Sequence, residues 1–365
     1  MEARISNFWI FILIVLGLFF VWYFQTIIFF IVTSAVLSLI LKPVVKGITH
    51  IRIKEWHPPR WMAAILSLIL LILTVTGFLY FFIPLLLKEA QLLYDISPNQ
   101  IINYFEGPLR QLEEFFHRHE IDADPRGILQ DYVRGSLMGM LDLDLFAAFF
   151  NRIFGITIEL LIGIFSVFFI TFFFLKEEKM FPNMILALTP DEHSDSVEKV
   201  LGKLEYLLTR YFAGLVIQIS CIALIASIGL TIVGVKNPIL IGVFAGVTNI
   251  IPYLGPVLGA SFGILSGILA NMHLPFYPDV TFLLLQIVLV FVIVQQLDNL
   301  IFQPVIYSTS VKAHPVEIFI VILMAARIAG ISGMIIAIPA YTVIRVIAKE
   351  FLDEFKIVQK LTKNL

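Results

Sequence analysis

VKNPILIGVFAGVTNIIPYLGPVLGASFGILSGILA, residues Val235 to Ala270, decides the fold by what happens in its middle. From Lys236 to Ala270 the apolar residues would sustain one helix over about thirty-five positions, far longer than the roughly 30 Å hydrocarbon core of a bilayer. Pro252, Gly255 and Pro256 fall halfway along. Proline removes a backbone donor and disfavours the helical conformation in the residue before it. The stretch therefore predicts two half-helices, 238–250 and 257–270, joined by a break at Ile251-Pro252-Tyr253-Leu254-Gly255-Pro256. Irregular backbone at membrane depth is tolerated only inside protein or beside a wet cavity, so a broken apolar segment points to a transport site.

A second copy lies downstream. Val311-Lys312-Ala313-His314-Pro315-Val316 echoes Val235-Lys236-Asn237-Pro238-Ile239, runs apolar to Arg327, breaks at Gly330-Ile331-Ser332-Gly333 and resumes through Ile338-Pro339-Ala340. Each copy follows a long apolar helix, 211–235 and 280–306. Helix plus broken hairpin, twice, reads as an internal repeat.

Composition fixes the class. Hydrophobic residues are 59% of the 365 and charged residues 14%, against about a quarter charged in soluble domains. This is an all-α polytopic membrane protein: about six full spans plus two inverted re-entrant helical hairpins, with an extracytoplasmic helical insertion. The single cysteine, Cys221, excludes an intrachain disulfide. No charge occurs from Ile5 to Leu41, and Trp22-Tyr23-Phe24-Gln25-Thr26 is expected to turn the chain between two short spans, 6–22 and 27–41. Lys42, Lys46, Arg52, Lys54 and Arg60 against Glu55 alone place the next loop in the cytoplasm. Residues 61–87 complete a scaffold, 1–87.

Lys88 to Asp144 holds eleven acidic and five basic residues, and Ile101, Ile102, Phe105, Leu109, Leu112 and Phe116 recur at helical spacing, as do Leu129, Val133, Leu137, Leu141 and Leu145. The insertion 88–150 is thus expected to pack on the membrane surface or on its own helices. A fourth span, 151–175, returns to the cytoplasm. Thr189-Pro190-Asp191-Glu192 has the form of a helix start, opening an amphipathic helix within 176–210 that runs into the span 211–235. The inverted-repeat transport unit is 211–348, with hairpins 238–270 and 315–345. Arg345, Lys349, Lys356, Lys360 and Lys363 then place the tail, 349–365, in the cytoplasm beside the N-terminus.

Candidate site residues follow from polarity inside these segments. Asp298 ends about eighteen apolar positions and has Gln295, Gln296, Asn299 and Gln303 around it, with 295, 299 and 303 on one helical face. Such a stripe either lines a cavity or joins helices. Arg327, within the second hairpin, requires a partner; Asp298 is the first expected and Glu317 the second. In the first break, Asn249, Pro252, Tyr253, Gly255 and Pro256 are expected to bind solute, Tyr253 having the alternative role of an anchor. Gly255, Gly259, Gly263 and Gly267 form a ridge that suits close packing or sliding equally. Gln218 and Thr248 are further polar residues in apolar surroundings.

Leu188-Thr189-Pro190-Asp191-Glu192, Ile251-Pro252-Tyr253-Leu254-Gly255-Pro256, Gln295-Gln296-Leu297-Asp298-Asn299-Leu300-Ile301-Phe302-Gln303-Pro304 and His314-Pro315 fall in the order and spacing of the autoinducer-2 exporter (AI-2E) family of bacterial permeases, which the chain resembles from about 180 to 348. The resemblance implies a homo-oligomeric transporter of the bacterial inner membrane. Some members are linked to export of autoinducer-2 and others to exchange of sodium or lithium for protons. The chain departs from the family pattern at Arg327.

No phosphate-binding Gly-rich loop, nucleophile elbow or metal-ligand spacing occurs, so no ATP drive, enzyme activity, cofactor or metal is expected. Membrane lipid, a second copy, and a small polar solute or Na+/H+ are the expected partners; nucleic acid is not. Three functions compete: a small-molecule exporter working by alternating access, a cation/proton antiporter, and a non-transporting membrane scaffold.

Overall fold

The computed structural model describes residues 12, 15–17, 19, 20, 22–51, 58–95, 104–119, 127, 158–274, 276–305 and 314–352. Their regular elements are all helical: α1 (Gln25–Thr49), α2 (Arg60–Asp95), α3 (Glu106–Arg118), α4 (Ile158–Lys176), α5 (Met180–Ala187), α6 (Ser194–Val233), α7 (Pro238–Thr248), α8 (Leu254–Leu269), α9 (Thr281–Leu297) and α10 (Pro315–Phe351). Among the described residues, five segments are long and apolar enough to cross a membrane: Gln25–Thr49, Arg60–Lys88, Asp191–Val233, Pro278–Val305 and Val316–Phe351. The expected helix around 129–145, most of the span 6–22, residues 306–313 and the tail beyond 352 lie outside the described residues. The chain forms two compact units, Met1–Thr74 with Ile156–Thr209, and Val75–Gly155 with Arg210–Leu365.

In the first unit the expected interruption at Trp22–Thr26 coincides with a turn at Phe24, which takes φ −97° and ψ 18° just before α1 begins. Phe24 N–H still reaches Phe20 O at 2.9 Å and Ile28 N–H reaches Phe24 O at 3.0 Å, so the chain is bent there without losing these bonds. Leu41 and Val45 pack on Ala63, Ala64, Leu68 and Leu175 to form a buried core. Ser34 ties α1 to α4, its hydroxyl 3.0 Å from Val167 O.

An ionic cluster sits at the ends of these helices. Lys42 pairs with Glu205 and lies 3.7 Å from Glu178. Arg60 pairs with Glu178 while its Nε donates to Leu175 O at 2.8 Å, capping the end of α4. The Arg60 hydrogen bond, with the Lys42 charge behind it, holds the Glu178 carboxyl below its ordinary 4.5. A carboxyl lowered in the folded state stabilises it above its unfolded value and loses that contribution as pH falls. Thermal melting should therefore show the midpoint falling as pH drops below 4.5, and Glu178→Gln should flatten that limb of the profile.

In the second unit both interrupted segments reverse direction. The base of the first hairpin is closed by Lys236 Nζ donating to Ala270 O at 2.9 Å, across thirty-four positions. Asn237 precedes α7 with φ 54°, and Pro238 takes the first helical position, where its missing donor is harmless. The break is narrower than expected, 249–253, and Pro256 lies in the first turn of α8. The second hairpin breaks at Ala329 and Gly330. Gly330, at φ 58° and ψ −139°, holds a conformation open to glycine alone. Tyr341 hydroxyl donates to Glu317 Oε2 at 3.0 Å, although a straight helix would separate residues twenty-four apart by about 36 Å. A Cβ on Gly333 would meet Ala325 O at 2.1 Å, so the arms touch just behind the tip.

Two further expectations are corrected. The helical segment Asp191–Val233 starts where Thr189-Pro190-Asp191-Glu192 places it, but Thr189 does not cap it: its hydroxyl bonds Ile185 O at 2.9 Å, finishing α5, and a short tight turn, Asp191–His193, leads into α6. Arg345 is no tail residue but is 4% exposed within the second hairpin, its guanidinium 5.6 Å from the Tyr341 ring centre.

The glycine ridge is filled by packing. A Cβ at Gly263 would stand 2.5 Å from Phe291 and 3.1 Å from Ile241, and one at Gly267 would stand 2.5 Å from Ile287. Gly263→Ala should accordingly destabilise the protein by about 1–3 kcal/mol through overpacking. The detergent-solubilised melting midpoint reads the loss, and adding Phe291→Leu should restore most of it.

Candidate functional site

α9 ends where Asp298 begins a widened turn, Asp298–Phe302, in which Gln303 N–H reaches back five residues to Asp298 O. Such turns take about one more residue per revolution than an α-helix. Position i+5, which would point well away in an ordinary helix, is swung back over position i. Gln303 Nε2 accordingly donates to Asp298 Oδ2 at 2.9 Å. The widened turn thus brings a carboxylate and its amide donor onto one face.

Two other elements complete the cluster. Gln218, on α6, donates from Nε2 to Asp298 Oδ1 at 2.6 Å. Asn249, at the tip of the first hairpin, donates to Oδ2 at 3.5 Å. Asp298 is 1% exposed, Gln218 1% and Asn249 6%. The carboxylate is therefore held by three neutral amides, and among the described residues none of the ion pairs includes it. Hydrogen bonds to a carboxylate are about twice as strong as neutral ones, yet burying the charge without a counter-charge remains expensive. Gln218 Oε1 is itself buried without a partner.

The expected polar stripe is present beside this cluster. Gln295 Nε2 and Gln303 Nε2 both donate to Asn299 Oδ1, at 2.8 and 3.1 Å. Asp298, Asn249 and Gln295 form the polar end of an open cleft of about 270 Å³. The rest of its lining is apolar, from Ile222 on α6, Ala260 and Ile264 on α8, and Phe291 on α9. Pro256 also lines it, where the second arm begins.

The break itself is shaped by backbone geometry. Tyr253 takes φ 67° and ψ −45°, a left-handed conformation rare for an aromatic residue. Its ring meets Phe319 edge-on at 5.5 Å between centres. Gly255 leaves no room for a Cβ, which would fall 2.3 Å from Thr248 O. Pro252 is half-buried in the turn. Phe319 stands about 15 Å of helix before the second break. The first tip thus lies beside the base of the second hairpin.

Arg327 is separate from the site. It is exposed, close to the second break, and pairs with neither expected partner: Asp298 is held by amides and Glu317 by Tyr341. Sequence reasoning underweighted Gln218. Its signal was available, as a lone amide in the apolar span 211–235 demands a partner. The strained tyrosine left no such mark.

Three groups of known proteins bear on this arrangement. The model of the AI-2E family transporter matches residues 9–353. The chain is 29% identical over 195 residues to YueF of Bacillus subtilis, covering 53% of this chain and 50% of YueF. It is 27% identical over 258 residues to YrrI of the same organism, covering 71% and 63%. A Thermotoga maritima protein is 22% identical over 319 residues, covering 85% and 87%. The chain thus spans about half the length of YueF and less than two thirds of YrrI. All three are named as transport proteins, and none of the names gives a substrate.

Gln218→Leu removes the shortest of the three amide bonds to Asp298 and leaves one carboxylate oxygen without its donor. A melting midpoint lowered by the equivalent of about 1–3 kcal/mol is expected. Asp298→Leu in the same background should recover part of it.

Proposed function

The chain belongs to the AI-2E transporter family, and from that premise we propose that it is a secondary transporter which exports a small polar solute across the bacterial inner membrane through the cleft ending at Asp298. One observation carries the reading. A carboxylate without a counter-charge is buried at a hairpin tip and lines an open cleft, where transporters built from broken helices place their sites. The first hairpin supplies Asn249 and the turn Pro252, Tyr253 and Gly255; α9 supplies Gln295, Asp298, Asn299 and Gln303. Arg327, away from this cluster, is assigned to the rim of the second hairpin.

Alternating access supplies the mechanism. The first hairpin and α9 form one wall each of the cleft, and movement of the hairpin against α6 and α9 would expose Asp298 to one side and then the other. The two hairpins would enter from opposite faces, with both termini in the cytoplasm, and copies of the chain would assemble into an oligomer. Energy comes from an ion gradient or from the solute's own gradient. A second reading, exchange of sodium or lithium for protons, is favoured by the same lone carboxylate, which is the kind of group that carries a proton or a cation in turn.

Proteoliposomes containing a pH-sensitive dye test both. Under the first reading, autoinducer-2 loaded inside leaves faster than from empty liposomes, and Asp298→Leu lowers that rate at least about tenfold, as loss of a charge-assisted contact would. Under the second, sodium or lithium alone changes the dye signal. Efflux from folded Asp298→Leu at the wild-type rate, with no response to either cation, would sink both.

A further inference from the structure

The walls of the cleft do not match a solute that is polar all over. Its length is apolar, from Ile222, Ala260, Ile264, Phe291 and Val292, while its polar groups stand together at one end, Asn249, Gln295 and Asp298. A fully hydroxylated molecule placed there would strand its donors against methyl groups, and each polar group desolvated without a bond is unfavourable. At the polar end the imbalance has the opposite sign. Asp298 is buried, its donors are neutral amides, and the ion pairs among the described residues do not involve it.

We infer that the cleft takes an amphipathic organic cation, a molecule with an apolar body and one ammonium head, with the head set against Asp298. As a statement about transport this rests on the proposed function and narrows the solute; as a statement about binding it concerns the cleft alone. A head carrying positive charge supplies the counter-charge that the fold leaves out, and a buried opposite-charge pair regains what burial of the lone carboxylate loses. Asn249 gives the way in: its bond to Oδ2, at 3.5 Å, is the longest of the three, and Asn249 itself lines the cleft. It is the donor an incoming head displaces, while Gln218 at 2.6 Å and Gln303 at 2.9 Å hold the carboxylate in place. Phe291 adds an aromatic wall within the same cleft, a surface that attracts cations where water is excluded.

A matched pair of probes isolates charge from shape. Benzyltrimethylammonium and neopentylbenzene have the same outline and differ in whether a nitrogen cation or a carbon stands at the branch. Radiolabelled forms of each are equilibrated by dialysis with the full chain in nanodiscs, and retention by empty nanodiscs is subtracted. The cation should be retained at least about tenfold more strongly than the neutral probe, the preference a charged hydrogen-bonding partner confers. Asp298→Asn should abolish the preference and Asp298→Glu should keep it. Val292→Trp fills the cleft from its exposed wall without touching the carboxylate, and should remove retention of both probes.

Equal retention of the two probes by folded wild-type protein would overturn the inference, as would retention no greater than that of empty nanodiscs, which is partition into lipid only. A cation preference that survives Asp298→Asn would also overturn it. Because binding is read without flux, the two levels of the argument separate. Cation binding without transport in proteoliposomes leaves this inference standing and removes the transporter reading. Autoinducer-2 efflux without cation binding does the reverse.

Discussion

In hydrocarbon every backbone N–H and C=O must find a partner within the protein, and the whole second unit is arranged around two places where the helix stops supplying them. At the first break the chain compensates locally. Ile251 N–H donates to Thr248 O at 3.0 Å, Leu254 N–H to Pro252 O at 2.8 Å, and Gly255 N–H to Ile251 O at 2.8 Å. The Thr248 hydroxyl lies 3.2 Å from Gly255 O, bridging the two arms. These bonds require the arms to come within backbone contact, which explains why Gly255, Gly259 and Gly263 face the opposite arm. The ridge is a condition of closing the turn, and the left-handed Tyr253 is what closing it demands of the chain.

The buried carboxylate follows from the same geometry. Once α7 ends at Thr248, Asn249 projects from the tip with a side-chain amide and no helix to join. The widened turn at the end of α9 turns Gln303 back over Asp298, and Gln218 arrives from α6. Three amides from three elements are then fixed relative to one another by a single acceptor. Polar networks of this kind are strong in low dielectric when satisfied and unfavourable when one member is missing, so the cluster specifies how hairpin, α6 and α9 pack. The unpartnered Gln218 Oε1 shows that satisfaction is incomplete.

Much of this was legible from residue types. Prolines and glycines inside apolar runs announce a break, because each removes a donor or a side chain that a continuing helix needs, and both hairpins were read that way. The polar face 295, 299 and 303 followed from helical spacing and appears as a hydrogen-bonded ladder. What was not legible depends on contacts between distant positions. The joining of Asp298 to Gln218 spans eighty positions, and no local pattern states that two lone polar residues on separate spans will meet. Arg327 misled for the complementary reason: a cation in an apolar run was assigned a buried partner, whereas the hairpin carries it to an exposed rim. The aromatic cluster at Trp22 to Thr26 marked the place where the helix is interrupted, at Phe24, but not how sharply the chain bends there.

The two hairpins are alike in topology and unlike in chemistry, and the difference bears on what either could do. The first is sealed at its base by a lysine on a carbonyl and carries its polarity at the tip, through Asn249. The second is bare at its tip, with Gly330 open on all sides, and carries its polarity at the base, where Tyr341 bonds Glu317 and Arg345 lies against the same ring. The Tyr253–Phe319 contact sets the tip of one beside the base of the other. With the tip of the first beside the base of the second, Asn249 and the Tyr341–Glu317 pair stand toward one end, while Lys236 at the first base and Arg327 near the second break belong to the other. The strained first tip touches Asp298 through Asn249 and the second hairpin through Tyr253, so it joins the cluster on α9 to the second hairpin.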